Sequence, residues 1–104
     1  VDQRGITIIL RALNSVKFNS DKTEVTTQVG AIVQEVVKAA YAGGGLVPAG
    51  NCNCIGALGT ILGGGFSRLT GLYGLGVDNL LSMNVITAAG QSIEINSQSD
   101  PDLW

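Results

Sequence analysis

The sequence predicts an α+β fold, a mixed and largely antiparallel sheet flanked by helices. Three observations predict it. Apolar residues alternate with polar ones near both ends of the chain, the signature of half-buried strands. Between them, residues 31–42 carry apolar side chains at helical spacing. Turn-forming residues separate these stretches, so that the order reads β-β-β-α-β, a glycine-rich loop, then β-β-α, with sheet on one side and helices on the other.

Each element has its own justification. ITIIL (6–10) is a β-branched run after a glycine and predicts a buried strand. Val16 and Phe18 predict a second, NSDKT (19–23) supplies turn chemistry, and EVTTQV (24–29) alternates as a third, forming a hairpin. Ile32, Val33, Val36, Val37 and Ala40 then fall on one stripe of an amphipathic helix, with Gln34, Glu35 and Lys38 outside it. GGG (43–45) ends that helix, and LVPAG (46–50) reads as a very short strand. Leu81, Met83, Val85 and Thr87 alternate against Ser82, Asn84 and Ile86; AAGQ (88–91) turns, and SIEIN (92–96) returns. Asp100 is placed to cap a helix with Pro101 at its first position.

Composition narrows the function. A chain of 104 residues is one domain at most. Only 13% of it is charged and 5% aromatic, against 45% hydrophobic, so the core must come from Val, Ile, Leu and Ala. Soluble domains usually carry about 25% charge; a chain this poor in it should have much of its surface covered by other protein or a ligand. The net charge of −2 and the lack of a Lys/Arg cluster argue against binding nucleic acid through its phosphates. No apolar run approaches the ~20 residues of a membrane span, and no signal peptide is recognisable. Histidine is absent, which removes Ser–His and Cys–His nucleophile pairs and His-ligated metals. The opening VDQRG has neither an initiator Met nor a targeting segment, and a helix begins at the last residues, so an internal piece of a longer polypeptide is expected.

The unusual stretch is LVPAGNCNCIGALGTILGGG (46–65), with Cys52 and Cys54 one residue apart. Two thiols alone cannot complete a structural zinc site. A disulfide across so small a ring conflicts with bridge geometry. An attachment point and plain buried thiols remain, the second being the expected state of the chain alone. Glycines recur at 50, 56, 59, 63, 64, 65, 71, 74 and 76. They suit either a tightly packed loop or a backbone that must approach a ligand closely. No Lys follows them as in a P-loop, and no dinucleotide fingerprint follows a strand.

PAGNCNCIGALGTILGGG, LYGLGVDNLLSMNVITAAGQSIEIN and DPDLW, in that order, resemble the FAD-binding domain of the vanillyl-alcohol-oxidase/p-cresol-methylhydroxylase (PCMH) flavoprotein superfamily, and within it the berberine-bridge-enzyme-like oxidases. The resemblance covers essentially the whole chain. It implies that residues 1–104 form the second part of a PCMH-type domain. By this resemblance Cys52 falls on the cysteine that in bicovalent members forms a thioether to C6 of the flavin. Cys54, Ile55 and Gly56 match the Thr-Val-Gly of that loop, whose backbone faces the flavin. Leu58 and Gly59 match a Gly-Gly pair along the cofactor, Thr60 the position after it, and Gly63 to Gly65 the tight glycine turn. Tyr73, Asp78 and Asn79 match a segment read as structural, and Ile93 or Ile95 lies on the strand that in relatives reaches the adenine end. Departures are Asn53 for Pro, Cys54 for Thr, Leu58 for the first Gly, and TGL (70–72) before Tyr73 for Ser-Arg-Lys.

What the resemblance implies for function is the FAD-binding portion of an FAD-linked oxidoreductase, whose parent oxidises a small molecule by hydride transfer to flavin. It places the histidine-bearing flavin loop upstream of this chain and the substrate domain and catalytic base downstream, leaving no catalytic residue here, and it implies a secreted parent. The competing expectation is a truncated, non-enzymatic piece that binds no FAD alone and is held by self-association or a partner. Trp104 is expected to pack against the glycine-rich layer.

Overall fold

The computed structural model describes residues 4–104. Two short strands, β1 (Val16–Phe18) and β2 (Val25–Thr27), lead into helix α1 (Val33–Ala42). Helices α2 (Ala57–Leu62) and α3 (Thr70–Tyr73) and a 3-10 turn (Val77–Asn79) follow, then strands β3 (Ser82–Ile86) and β4 (Ser92–Asn96). The class is α+β, and its strands form two separate antiparallel pairs, β1 with β2 and β3 with β4.

The β1–β2 hairpin pairs Val16 with Thr27 and Phe18 with Val25. Asn19 organises its turn, accepting the Thr23 and Glu24 amides at 2.9 and 3.0 Å and donating to Thr23 Oγ1 at 3.0 Å. Val16 packs on the core and the Phe18 ring lies over Gly43, so the hairpin covers one flank of α1.

Helix α1 buries Val33, Val36 and Ala40, while Val37, expected on the same stripe, is 41% exposed. Its C-terminus closes through Gly44 (φ 84), with the Gly45 amide donating to Ala40 O at 2.9 Å and the Gly44 amide to Tyr41 O at 3.0 Å. A left-handed residue there needs glycine, which is why the GGG run stops the helix. Its N-terminus is unusual. The cap position is Ile32, whose side chain accepts no hydrogen bond, so the first amides must find acceptors elsewhere. They find them in the cysteine loop, where Val33 N–H donates to Ile55 O at 2.9 Å and Gln34 N–H to Asn53 O at 3.1 Å.

The core gathers Ala31, Val33, Val36, Ala49, Ala57 and Ile61, flanked by Val16, Val47 and Leu80. Such small side chains bring backbones close. Gly65 and Gly76 meet directly, with Gly76 N–H donating to Gly65 O at 2.9 Å. A Cβ on Gly76 would lie 2.7 Å from Pro48 O and 3.2 Å from Gly65 Cα. The β3–β4 hairpin turns Met83, Val85, Ile93 and Ile95 to one face, and Ile95 is 1% exposed. Its turn closes with Gly90 N–H on Thr87 O and Thr87 N–H on Gln91 O, both at 2.9 Å.

Three expected elements differ. Residues 6–10 form no strand, and Ile6, Ile8 and Ile9 are 92%, 76% and 78% exposed. Among the described residues no neighbouring strand supplies the ladder this run needs. Residues 46–50 are irregular, because Pro48 cannot donate to a ladder and the segment instead packs Ala49 into the core. After Asp100 (φ 48) the chain makes one turn, the Leu103 and Trp104 amides both donating to Asp100 O at 2.9 Å. That φ is not the extended conformation of an N-cap.

The accessible surface is 7584 Å², where a closed monomer of 10.7 kDa exposes about 5,500 Å². The radius of gyration of 14.6 Å also exceeds the ~13 Å of a compact domain of this length. Roughly 2,000 Å² of surface is therefore laid open beyond what such a chain hides by itself.

Candidate functional site

Residues 51–56 are exposed without a break, and α2 follows them at once. Cys52 and Cys54 are free, exposed thiols. The expectation of buried thiols is thereby corrected: small neighbours do not bury them, because the loop lies over the start of α1 rather than between layers. Among the described residues no group of three or more His, Cys, Asp or Glu could hold a metal, and no helix is long and apolar enough to cross a membrane.

The loop's backbone has a direction. Its carbonyls at Asn53 and Ile55 turn inward to the Gln34 and Val33 amides, and Ile32 bridges to Gly56. A trans peptide points its C=O and the next N–H to opposite sides. The amides of Cys54 and Gly56 therefore point away from α1. Among the described residues, the backbone amides of 51–56 meet no acceptor, and neither do the first-turn amides of Leu58 and Gly59. Two N–H donors, at Cys54 and Gly56, thus face away from α1, among further amides that meet no acceptor.

Side chains frame these donors. Gly56 and Gly59 have open space where a Cβ would stand, within 4 Å nothing at all, and neither has a positive φ. Helix propensity would favour alanine at Gly59, so the chain's own packing gives no reason for glycine there. Thr60 turns its hydroxyl back onto Gly56 O at 2.9 Å. Leu58 is half-buried, its side chain partly withdrawn from the surface. Residues 52–56 and 58–60 thus reach the surface, with Ala57 turned into the core between them. Ile93 belongs to another element, half-buried on β4 opposite Val85.

Of the three residues read as structural, Asp78 and Asn79 tie their own segment together, while the Tyr73 side chain is exposed. Asp78 Oδ2 accepts the Leu75 amide at 2.8 Å, and Asn79 Nδ2 donates to the Tyr73 and Leu75 carbonyls at 2.9 and 2.8 Å. Trp104 lines a hollow of about 80 Å³ with Leu62, Val77, Leu80 and Met83, covering the end of the glycine-rich stretch as expected. A larger open groove of about 340 Å³ lies elsewhere, between Gly44, Gly45, Leu46, Pro48, Tyr73 and Asn79.

Two supports escaped the sequence reading. Asn51 Oδ1 accepts the Arg68 amide at 3.0 Å, tying the cysteine loop to the segment before α3. Glu35 accepts a fork from Arg11 (Nη1 at 3.0 Å, Nη2 at 2.8 Å) and also the Ile32 amide at 2.9 Å, while Arg11 donates to Gly30 O as well. The Arg11 hydrogen bonds and the Ile32 amide hold the Glu35 carboxyl at about 2, below its usual 4.5, and the same pairing raises Arg11. A Glu three residues after the cap position was a visible capping signal, muted by the Ile at the cap.

Residues 1–96 match the model of the family described as FAD binding domain. The FAD-linked oxidoreductase OXR2 of Pyricularia oryzae is 37% identical over 97% of this chain, which spans only 20% of that relative's length. Among solved structures, 6-hydroxy-D-nicotine oxidase from Arthrobacter nicotinovorans superposes with a TM-score of 0.85 at 32% identity, over 90% of this chain and 21% of that one. The Acremonium strictum glucooligosaccharide oxidase, a structure described as revealing a novel flavinylation, superposes with a TM-score of 0.84 at 25% identity, over 91% of this chain and 20% of that one. The chain therefore spans about a fifth of the length of these relatives. With its matched residues running through the exposed loop and both hairpins, the chain belongs to the FAD binding domain family.

Proposed function

We propose that residues 52–60 are the face on which FAD rests, in an FAD-linked oxidoreductase that acts on a small molecule and is berberine-bridge-enzyme-like. One observation carries the reading: the Cys54 and Gly56 amides point away from α1, their direction set by the Asn53 and Ile55 carbonyls that α1 holds from behind, among further amides at 51–53, 55, 58 and 59 that meet no acceptor. A flavin's ring carbonyls and its pyrophosphate are acceptors, so the donor set fits the group. The open Cβ positions at Gly56 and Gly59 leave room for a flat ring system against the backbone.

When bound, FAD supplies the two-electron redox chemistry. The chain's residues do the holding. The Cys54 and Gly56 amides orient acceptor oxygens and favour negative charge that develops on them. Cys52, exposed and unpaired, is the point of covalent attachment. Ile93 offers an apolar contact toward the adenine end.

A second reading rests on the surface. The roughly 2,000 Å² of excess exposure and the bare Ile6, Ile8 and Ile9 favour a chain that needs a partner or a second copy to close, and that takes up no FAD alone. One experiment decides. The intact natural polypeptide carrying this chain, and the 104-residue chain alone, are incubated with FAD and acid-precipitated. Yellow colour that survives precipitation supports covalent attachment, and proteolytic mapping that finds flavin on the Cys52 peptide of the wild type and not on that of Cys52→Ala assigns one link to this thiol. A colourless precipitate with flavin released to the supernatant refutes the attachment alone, whereas no flavin retained by either preparation before precipitation refutes the flavin face.

A further inference from the structure

We propose that Glu35 is a positioning residue for the flavin-facing loop, a role that rests on the flavin reading above. Glu35 lies on α1 and touches none of residues 52–60, yet the loop's geometry runs through it. Its carboxylate holds the Ile32 amide at 2.9 Å and is itself held by the Arg11 fork at 3.0 and 2.8 Å. Arg11 ties the same carboxylate to the Gly30 carbonyl, so residues 30–35 are clasped at both ends.

That clasped stretch is what the loop hangs from. Ala31 O accepts the Ala57 amide at 2.9 Å, Val33 N–H donates to Ile55 O at 2.9 Å, and Gln34 N–H donates to Asn53 O at 3.1 Å. These three bonds set which way the Cys54 and Gly56 amides face. An exposed ion pair usually contributes little to stability. Glu35 differs in that its carboxylate also accepts the amide of the cap residue Ile32, the returning half of a capping box, while the first-turn amides go to the loop carbonyls. Loosening it lets the helix start fray, and the fraying is handed to the loop as misdirected Cys54 and Gly56 amides.

The test uses the intact natural polypeptide with FAD as the probe. Glu35→Leu removes both the fork and the Ile32 contact, and Glu35→Gln keeps an acceptor for the Ile32 amide. Asn19→Ala, which strips the turn of the β1–β2 hairpin, controls for general destabilisation. Without FAD, hydrogen exchange at the Val33, Gln34 and Ala57 amides should quicken in Glu35→Leu and not in Asn19→Ala. FAD dissociation constants, measured with Cys52→Ala in every variant so that attachment there does not trap the flavin, should rise about tenfold in Glu35→Leu, less in Glu35→Gln, and stay unchanged in Asn19→Ala. If Glu35→Leu does not fold, Glu35→Gln carries the comparison. A wild type that takes up no FAD overturns the flavin reading and this role with it. Normal uptake by the wild type, with exchange or dissociation constants in the Glu35 variants matching Asn19→Ala at equal loss of melting temperature, overturns the role of Glu35 alone.

Discussion

Gly59 separates a glycine kept for the fold from one kept for a ligand. It lies inside α2, its φ is not positive, and a Cβ there would meet nothing within 4 Å. Alanine is favoured over glycine in a helix interior by about 0.8–1.0 kcal/mol. In a helix of six residues the lower half of that gain is reasonable, so Gly59→Ala should stabilise the fold by about 0.5 kcal/mol and raise the melting temperature by about 2–4 °C. On the proposed flavin face the same methyl would intrude between the backbone and the ring system. Overpacking costs about 1–3 kcal/mol, which raises the FAD dissociation constant by about 5- to 150-fold. Gly71→Ala is the matched control, because Gly71 is also helical and also open, but lies in α3 away from residues 52–60. Thermal melts without FAD and flavin-fluorescence titrations, both in a Cys52→Ala background that keeps binding reversible, supply both numbers. If Gly59→Ala and Gly71→Ala gain stability alike and bind FAD alike, the glycine at 59 does not serve the cofactor.

Other perturbations test other parts. Gly76→Ala drives a Cβ to 2.7 Å from Pro48 O, a backbone atom that cannot rotate away, so it should cost about 1–3 kcal/mol and lower the melting temperature by at least about 5 °C in circular dichroism. Glu35 titrates at about 2 when folded against its usual 4.5, so its contribution is present above pH 4.5 and lost as pH falls toward 2. The gap in melting temperature between wild type and Glu35→Gln should accordingly be constant above that window and close below it; a gap that persists at pH 2 contradicts the pairing. Cys52→Ala should remove one covalent link to flavin in the intact mass, whereas Cys54→Ala should leave attachment intact. Equal losses from both substitutions would count against the inequality assigned to them.

Local pattern made much of this molecule legible. The alternation in residues 82–96 gave both strands of the C-terminal hairpin, because its register is set within a few residues by one turn. The GGG run gave the end of α1 for a similarly local reason. The strand expected at 6–10 failed because a strand is a relation between segments, and no partner segment lies among the described residues. Exposure of the cysteines was also out of reach. It depends on Ile32 lacking a cap side chain, which makes the loop's carbonyls rather than its thiols the groups that face inward. Resemblance pointed to the loop, and the structure adds why its Cys54 and Gly56 amides point away from α1.

Hydrogen exchange across the backbone, measured with and without FAD on the intact polypeptide, reaches the central claim most directly. The account predicts that FAD slows exchange at the amides of residues 52–60, Cys54 and Gly56 foremost, and leaves the β1–β2 hairpin unchanged. Protection concentrated instead around Leu46 and Tyr73, in the larger open groove, or no protection anywhere in residues 52–60, would contradict it.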